Sequence, residues 1–284
     1  MQSPGINDTS DFQLTDAEFN RIRELVREHT GISLSEAKRQ LVYGRLVRRL
    51  RTLKLESFGE YIVLLERGAP AELEEFTNAI TTNLTSFFRE SHHFDHLAAE
   101  VLPAIVANDS GARRLRLWCC AASTGEEPYS ISMVLREAQQ LLSGFDVKLL
   151  ATDLDSAVLA TGTAGIYGAD RLQSMSAARI GRFFEKGSGA NTGKFRVTDE
   201  LRKVITFKQL NLMHEWPVRG PFDVIFCRNV IIYFDKETQR ALFERMAVLQ
   251  RPGDMLFLGH SESLYRVSDK YDLVGRTIYR RNDA

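Results

Sequence analysis

The sequence predicts an α/β protein: a mostly parallel sheet covered by helices on both faces, preceded by an all-helical segment and interrupted by a small antiparallel insertion. Three observations carry this. Residues 11–80 place apolar side chains at helical spacing and contain no strand-like run. From about residue 113, short apolar runs alternate with helical stretches, the pattern of parallel sheets. Near residue 190 a glycine-rich stretch joins two short aromatic runs, as an antiparallel hairpin would.

The elements follow in order. Residues 1–10 are polar and read as a disordered start. Thr15 with Glu18 forms a capping box for a helix that ends at Gly31. Ser35 is the expected cap of a second helix reaching Lys54. Ser57 with Glu60 opens a third, stopping at Gly68, and Pro70 starts a fourth. The segment 81–90 then links this helical domain, 11–80, to the remainder, 91–284. Leu115–Cys119 reads as a strand, followed by the loop AASTGEEPY and a helix from Pro128 to Leu142. Val147–Thr152 is the next strand and ends at Asp153; a helix covers 156–163. Ile205–Lys208, Phe222–Cys227 and Met255–Leu258 are further strands, with a helix over Glu237–Leu249. The insertion falls at about 183–208.

The 284 residues carry 37 Lys and Arg against 37 Asp and Glu, so net charge is zero. That disfavours a general nucleic-acid coat, which needs a basic excess. No apolar run approaches the roughly 18–20 residues of a membrane span. The N-terminus lacks the order of a signal peptide. A cytoplasmic protein is expected, in which Asn7-Asp8-Thr9 and Asn83-Leu84-Thr85 match a glycosylation pattern by accident. Cys119, Cys120 and Cys227 are odd in number, with two adjacent, and offer no disulfide framework.

Ligands of an open parallel sheet bind at the carboxyl ends of its strands, near the switch in strand order. Two strand ends carry suitable groups. One runs through Ser123-Thr124-Gly125-Glu126-Glu127 into a helix N-terminus. The other ends at Asp153, placed to accept both hydroxyls of a ribose. The loop has one glycine and no GxGxxG, so a nucleoside without phosphates, such as S-adenosylmethionine, is favoured over NAD. An ordinary strand–helix turn is the competing reading. Gly259-His260-Ser261-Glu262-Ser263 nearly spells a nucleophile elbow, but no His follows the Ser in the chain. Asp153-Leu154-Asp155 is read as a ribose acid followed by an exposed Asp, and His92 with His96 lacks further ligands, so no metal is expected. Residues 36–54 hold seven basic side chains against one acid, whereas the whole block 11–80 has 11 basic and 12 acidic residues, so the basicity is concentrated on one helix. That is either a solvated face or a dock for an acidic partner.

Together these pieces resemble the CheR-type chemotaxis receptor glutamate methyltransferases over nearly the whole chain. The motifs that carry the resemblance are TTNLTSFFRE (81–90), AASTGEEPY (121–129), DLD (153–155), FCRNVIIYF (226–234) and GHSE (259–262). The resemblance implies a class I, Rossmann-like methyltransferase sheet with an N-terminal helical domain and an inserted β-subdomain. It implies transfer of methyl from S-adenosylmethionine to receptor glutamates, with S-adenosylhomocysteine as product and no metal. Asn83, Thr85, Arg89, Glu127, Asp153, Asn211, Leu212, Cys227 and Arg228 match the family's cofactor positions. Arg89 and Tyr233 match its catalytic positions.

The resemblance also implies partners, the cytoplasmic domains of transmembrane chemoreceptors, with neither nucleic-acid binding nor membrane insertion. Arg45, Arg48, Arg49 and Arg51 on the basic helix are candidate receptor contacts. Lys186, Gly187, Gly189 and Arg196 in the insertion are candidate contacts for a receptor's C-terminal pentapeptide. Two other readings stay open: a methyltransferase of RNA or a small molecule, and a non-catalytic sensor of S-adenosylmethionine.

Overall fold

A computed structural model describes residues 12–284, so the expected disordered start lies outside the described residues. The chain forms two compact units that part between Thr81 and Thr82.

The first unit holds four helices: α1 (Asp16–Thr30), α2 (Arg39–Leu53), α3 (Phe58–Glu66) and α4 (Pro70–Ile80). The capping box forms as read: Thr15 Oγ1 accepts the Glu18 N–H, and the Glu18 carboxylate accepts the Thr15 N–H at 2.8 Å. Gly31, at φ 74°, closes α1 in the left-handed conformation that glycine adopts without strain. Ser35 does not cap α2. It precedes a 3₁₀ turn, Glu36–Lys38, and its hydroxyl makes no capping bond. At α3 the box is half formed: Ser57 Oγ accepts the Glu60 N–H, but the Glu60 carboxylate turns to the Glu56 N–H. Phe19, Ile22, Val26, Leu46, Leu50, Phe58, Tyr61 and Phe76 fill the core. The buried Glu72 carboxylate takes Arg49 Nη2 at 2.5 Å and the Tyr61 hydroxyl at 2.8 Å, clamping α2 and α3 to α4. Here a charge is buried with its partners, the condition that makes its burial tolerable.

The second unit opens with α5 (His92–His96) and α6 (Leu102–Ala107), joined by a wide turn at Leu97–Val101. It continues through β1 (Arg114–Cys119), α7 (Glu126–Glu137), β2 (Asp146–Asp153), α8 (Ser156–Ala164), β3 (Ile166–Gly168), α9 (Ala177–Phe183), β4 (Phe184–Lys186), β5 (Lys194–Val197), α10 (Asp199–Arg202), β6 (Ile205–Gln209), β7 (Val224–Cys227), α11 (Lys236–Val248), β8 (Met255–Leu258), β9 (Tyr271–Gly275) and β10 (Ile278–Arg281). The main sheet has the order β6-β2-β1-β7-β8-β10-β9. Its first five strands are parallel, and β10 and β9 join antiparallel. The chain moves outward from β1 to β2 and β6, then returns to lay β7 on the other side of β1. The switch in strand order therefore lies between β1 and β7.

Three expectations change. The insertion is a three-stranded antiparallel sheet, β3-β5-β4, so it begins at Ile166 rather than at 183. Residues Ile205–Gln209 are outside it, since β6 pairs in parallel with β2. The closing β9–β10 hairpin lies beyond the last expected strand; exposed Leu273 and Val274 hide the alternation of an edge strand. Helix α7 stops at Glu137, short of Leu142, and the chain passes through turns to Gly144.

Candidate functional site

Short loops leave the carboxyl ends of β1, β2, β7 and β8, and the segment 82–90 is hydrogen-bonded to several of them. Strand β2 delivers Asp153. Its Oδ2 accepts the Ser123 N–H at 2.8 Å and its Oδ1 the Asp155 N–H at 3.0 Å, so it shapes the turns after β1 and β2. The side chain is buried, and that burial pushes its pKa up to about 6. Asp155 is not the exposed acid expected from the sequence. It is buried, its Oδ1 caps α8 through the N–H groups of Ala157 and Val158, and its Oδ2 accepts Asn83 Nδ2 at 2.7 Å. The Asn83 carbonyl in turn accepts the Ser123 hydroxyl at 3.0 Å.

The loop after β1 needs its glycine. Gly125 has φ 98°, and a Cβ there would stand 2.7 Å from the Tyr167 hydroxyl and 2.8 Å from Gly162 Cα. Helix α7 begins immediately afterwards and buries both Glu126 and Glu127 in its first turn. Glu127 meets Arg228, the first residue after β7: Arg228 Nη1 donates to its Oε2 at 2.5 Å. The Cys119 thiol donates to its Oε1 at 3.3 Å. Burial pushes the Glu127 carboxyl up even against that guanidinium. The Arg228 side chain is wholly buried. Its Nη2 donates to the Arg89 carbonyl at 2.6 Å and lies 3.2 Å from the Glu90 carboxylate. Its Nε has no partner among the described residues.

Two further acids, absent from the expected set, organise this edge. Glu90 accepts from His260 Nδ1 (2.9 Å), the His260 N–H (3.0 Å) and Asn229 Nδ2 (3.3 Å). Glu262 collects backbone N–H groups: Asn229, Val230, Ile231 and Gly259 all donate to it between 2.6 and 2.9 Å. Among the described residues eight non-glycine positions have positive φ, and four of them, Phe88, Glu90, Ser123 and Asn229, belong to this edge. Such conformations persist only where surrounding contacts enforce them, and they gather at functional sites.

Asn83, Arg89, Glu127, Asp153, Cys227 and Arg228 are thus connected through the strand ends. Thr85 joins through its carbonyl, which accepts Arg171 Nη2 at 3.2 Å. Asn211 and Leu212 follow β6, held near Asp153 by the Leu210 N–H on the Asp153 carbonyl at 2.9 Å. Arg89 Nη1 closes its own segment on the Leu84 carbonyl at 2.8 Å. Tyr233 ends a 3₁₀ turn, Ile231–Tyr233, and is half-buried. The cysteines are buried, and burial pushes the Cys119 and Cys120 thiols far up, so they stay neutral. No group of three or more metal-ligating side chains is found among the described residues.

The receptor-contact candidates divide. In the first unit, Arg45 donates to the carbonyls of Ile80 and Thr81, and Arg49 is engaged by Glu72 and Glu75. Arg48 and Arg51 are exposed. In the inserted sheet Lys186 ends the edge strand β4, and the Gly187 N–H donates to the Lys194 carbonyl at 2.8 Å. A Cβ on Gly187 would lie 2.2 Å from the Asn191 carbonyl oxygen, and Gly189 has φ 56°. Arg196, on the central strand β5, pairs with Glu185 and Asp199.

The family description "CheR methyltransferase, SAM binding domain" matches residues 83–280, and "CheR methyltransferase, all-alpha domain" matches residues 17–81. Similar curated proteins include the chemotaxis protein methyltransferase 2 of Pseudomonas aeruginosa, 49% identical over 95% of this chain and 94% of that one. The chemotaxis protein methyltransferase of Klebsiella aerogenes is 45% identical over 94% and 90% of the two chains. That of Escherichia coli is 43% identical over 95% and 93%.

Replacing Glu262 with Ala leaves five backbone N–H groups at this edge without their acceptor, the Ile232 N–H at 3.4 Å among them. At about 1–3 kcal/mol for a buried unpaired group, partly relieved by water, the expected loss of stability is about 3 kcal/mol or more. Urea unfolding measures it; a loss below about 1 kcal/mol would show that the loops after β7 and β8 do not depend on this carboxylate.

Proposed function

The chain belongs to the CheR methyltransferase family, and from that premise we propose that it transfers a methyl group from S-adenosylmethionine to glutamate carboxylates of chemoreceptors, forming glutamyl methyl esters. The observation that supports this most directly is the paired edge at the strand switch, with a buried acid on β2 and a buried arginine after β7. The residues fit the cofactor chemically. Asp153 is a desolvated acid whose oxygens each take one backbone N–H and have a further lone pair for ribose hydroxyls. The unpartnered Arg228 Nε calls for an acceptor such as the carboxylate of an amino-acid tail. Asn83, Thr85, Glu127, Asn211, Leu212 and Cys227 would line the remainder.

S-adenosylmethionine supplies a methyl group on a sulfonium, electrophilic without further activation. The receptor glutamate is ionised near pH 7, so no general base is required of the chain. The protein's task is alignment and removal of water. Arg89 would hold one oxygen of the receptor carboxylate, and Tyr233 would orient the other; neither has to move a proton. The partners are the cytoplasmic domains of receptors, and this reading puts the enzyme in the cytoplasm. No helix among the described residues is long and apolar enough to cross a membrane.

Tritium transfer from S-adenosylmethionine to receptor-containing membranes, released by base, tests the reaction; label on RNA instead would overturn it. Calorimetry with S-adenosylhomocysteine tests the site. Asp153→Ala should weaken binding by about 1.5–3 kcal/mol, the range for a hydrogen bond to a charged group. Because ribose hydroxyls need the ionised acceptor, wild-type affinity should fall as pH drops through about 6. Asp153→Asn should lose that pH dependence, and a wild-type affinity flat between pH 5 and 7 would remove Asp153 from the ribose.

Receptor contact has two supports. Arg48 and Arg51 are the exposed charges of α2, and acidic receptor helices would meet them with strong salt dependence. The edge strand β4 would add a receptor's aromatic–acidic–aromatic tail as a fourth strand, raising the local enzyme concentration. Replacing Arg48 and Arg51 with Ala should slow receptor methylation. Gly187→Ala should weaken pentapeptide binding. Cofactor affinity should be unchanged in both; parallel losses of cofactor affinity would indicate misfolding and remove these surfaces from receptor contact.

A further inference from the structure

Glu90 closes the segment that matches the family's linker, yet neither the expected catalytic set nor the expected cofactor set contains it. Its carboxylate is 11% exposed. It is the meeting point of three pieces of chain: its own segment, the loop after β7 and the loop after β8. Oε1 takes His260 Nδ1 and Asn229 Nδ2; Oε2 takes the His260 N–H and stands beside Arg228 Nη2. Burial acts to raise its pKa, but His260, Arg228 and Asn229 outweigh it and hold the group at about 2. It is therefore an anion throughout the working range.

The consequence falls on Arg228. A guanidinium is planar, and its donors leave in fixed directions. Glu127 fixes Nη1. Glu90 and the Arg89 carbonyl fix Nη2. With both ends held, the orientation of the remaining Nε–H, buried and unpartnered, is determined. The Arg89 carbonyl reaches Nη2 from a stretch in which both neighbours, Phe88 at φ 54° and Glu90 at φ 58°, are left-handed. A non-glycine residue holds that conformation only against a steric cost. The four donors on the Glu90 carboxylate offset it.

We propose that Glu90 is a positioning residue of the methyl-transfer site, aiming Arg228 and tying the segment 82–90 to the loops after β7 and β8. The proposal rests on the reading of Arg228 as a cofactor contact. Glu90→Gln keeps the shape, removes the charge, and turns an amide donor toward groups that are already donors. The expected result is a fall in S-adenosylhomocysteine affinity of about tenfold or more, the scale of one charged hydrogen-bond partner. The KM for S-adenosylmethionine should rise by a similar factor, with kcat changed much less, because binding rather than chemistry is disturbed. Glu90→Asp should recover part of the loss. Amide hydrogen exchange should speed up over residues 82–90 and not in β1, β2 or β7.

Should Glu90→Gln fail to fold, His260→Ala serves, since the His260 side chain is 65% exposed. It removes one donor and should give a smaller loss in the same direction. A variant that melts earlier yet binds S-adenosylhomocysteine within twofold of wild type well below its melting temperature would make Glu90 a structural staple and overturn the proposal. Failure of the unaltered protein to bind S-adenosylhomocysteine would instead overturn the cofactor reading, and this proposal with it.

Discussion

A guanidinium buried away from water has to be surrounded by acceptors, and Arg228 meets that condition at the tip of β7. The acceptors come from places far apart in the sequence: Glu127 on α7, and the Arg89 carbonyl and Glu90 carboxylate before α5. Its guanidinium carbon also stands 5.6 Å from the centroid of the Phe94 ring. Satisfying this one charge draws the β7 loop, the start of α7 and the segment 82–90 to the same edge of the sheet. The arrangement leaves one N–H, that of Nε, without a partner among the described residues, so the chain meets this demand almost entirely.

The same economy recurs on either side. Asp153 turns the chain after β1 and after β2 by accepting one backbone N–H from each. Glu262 does the same for the loops after β7 and β8. Carboxylates replace the ladder partners that backbone groups lose where a strand stops. A sheet edge is thereby made into ordered loops without extra secondary structure. The left-handed residues at 88, 90, 123 and 229 mark where that order is imposed against local preference.

The inserted sheet is joined to this edge through side chains rather than through the ladder. The Tyr167 hydroxyl donates to the Thr124 carbonyl at 2.7 Å, and its ring packs on Phe87 at 5.0 Å. Arg171 from the same insertion reaches Glu126 and the Thr85 carbonyl. The insertion is therefore in contact with the loop after β1 and with the segment 82–90, as well as carrying the edge strand proposed to take a receptor tail.

What the sequence determined by itself is whatever local rules decide. The Thr15 capping box, the Gly31 stop, the parallel strands with Asp153 at a strand end, and the glycine-bearing loop before α7 all follow from short-range patterning. The ordered motifs carried the family. The Ser35 cap failed because a 3₁₀ turn intervened, and β3 and β9 escaped because three- and five-residue edge strands have too little alternation to see. Only the tertiary structure decided the roles of Glu90, Asp155 and Glu262, and the division of the basic helix into engaged Arg45 and Arg49 and exposed Arg48 and Arg51. An acid in a sequence has no partner until the chain folds. Glu90 meets His260 across 170 residues and Arg228 meets Glu127 across 101, and no spacing rule reaches that far, because burial and pairing of charge are properties of the packed molecule.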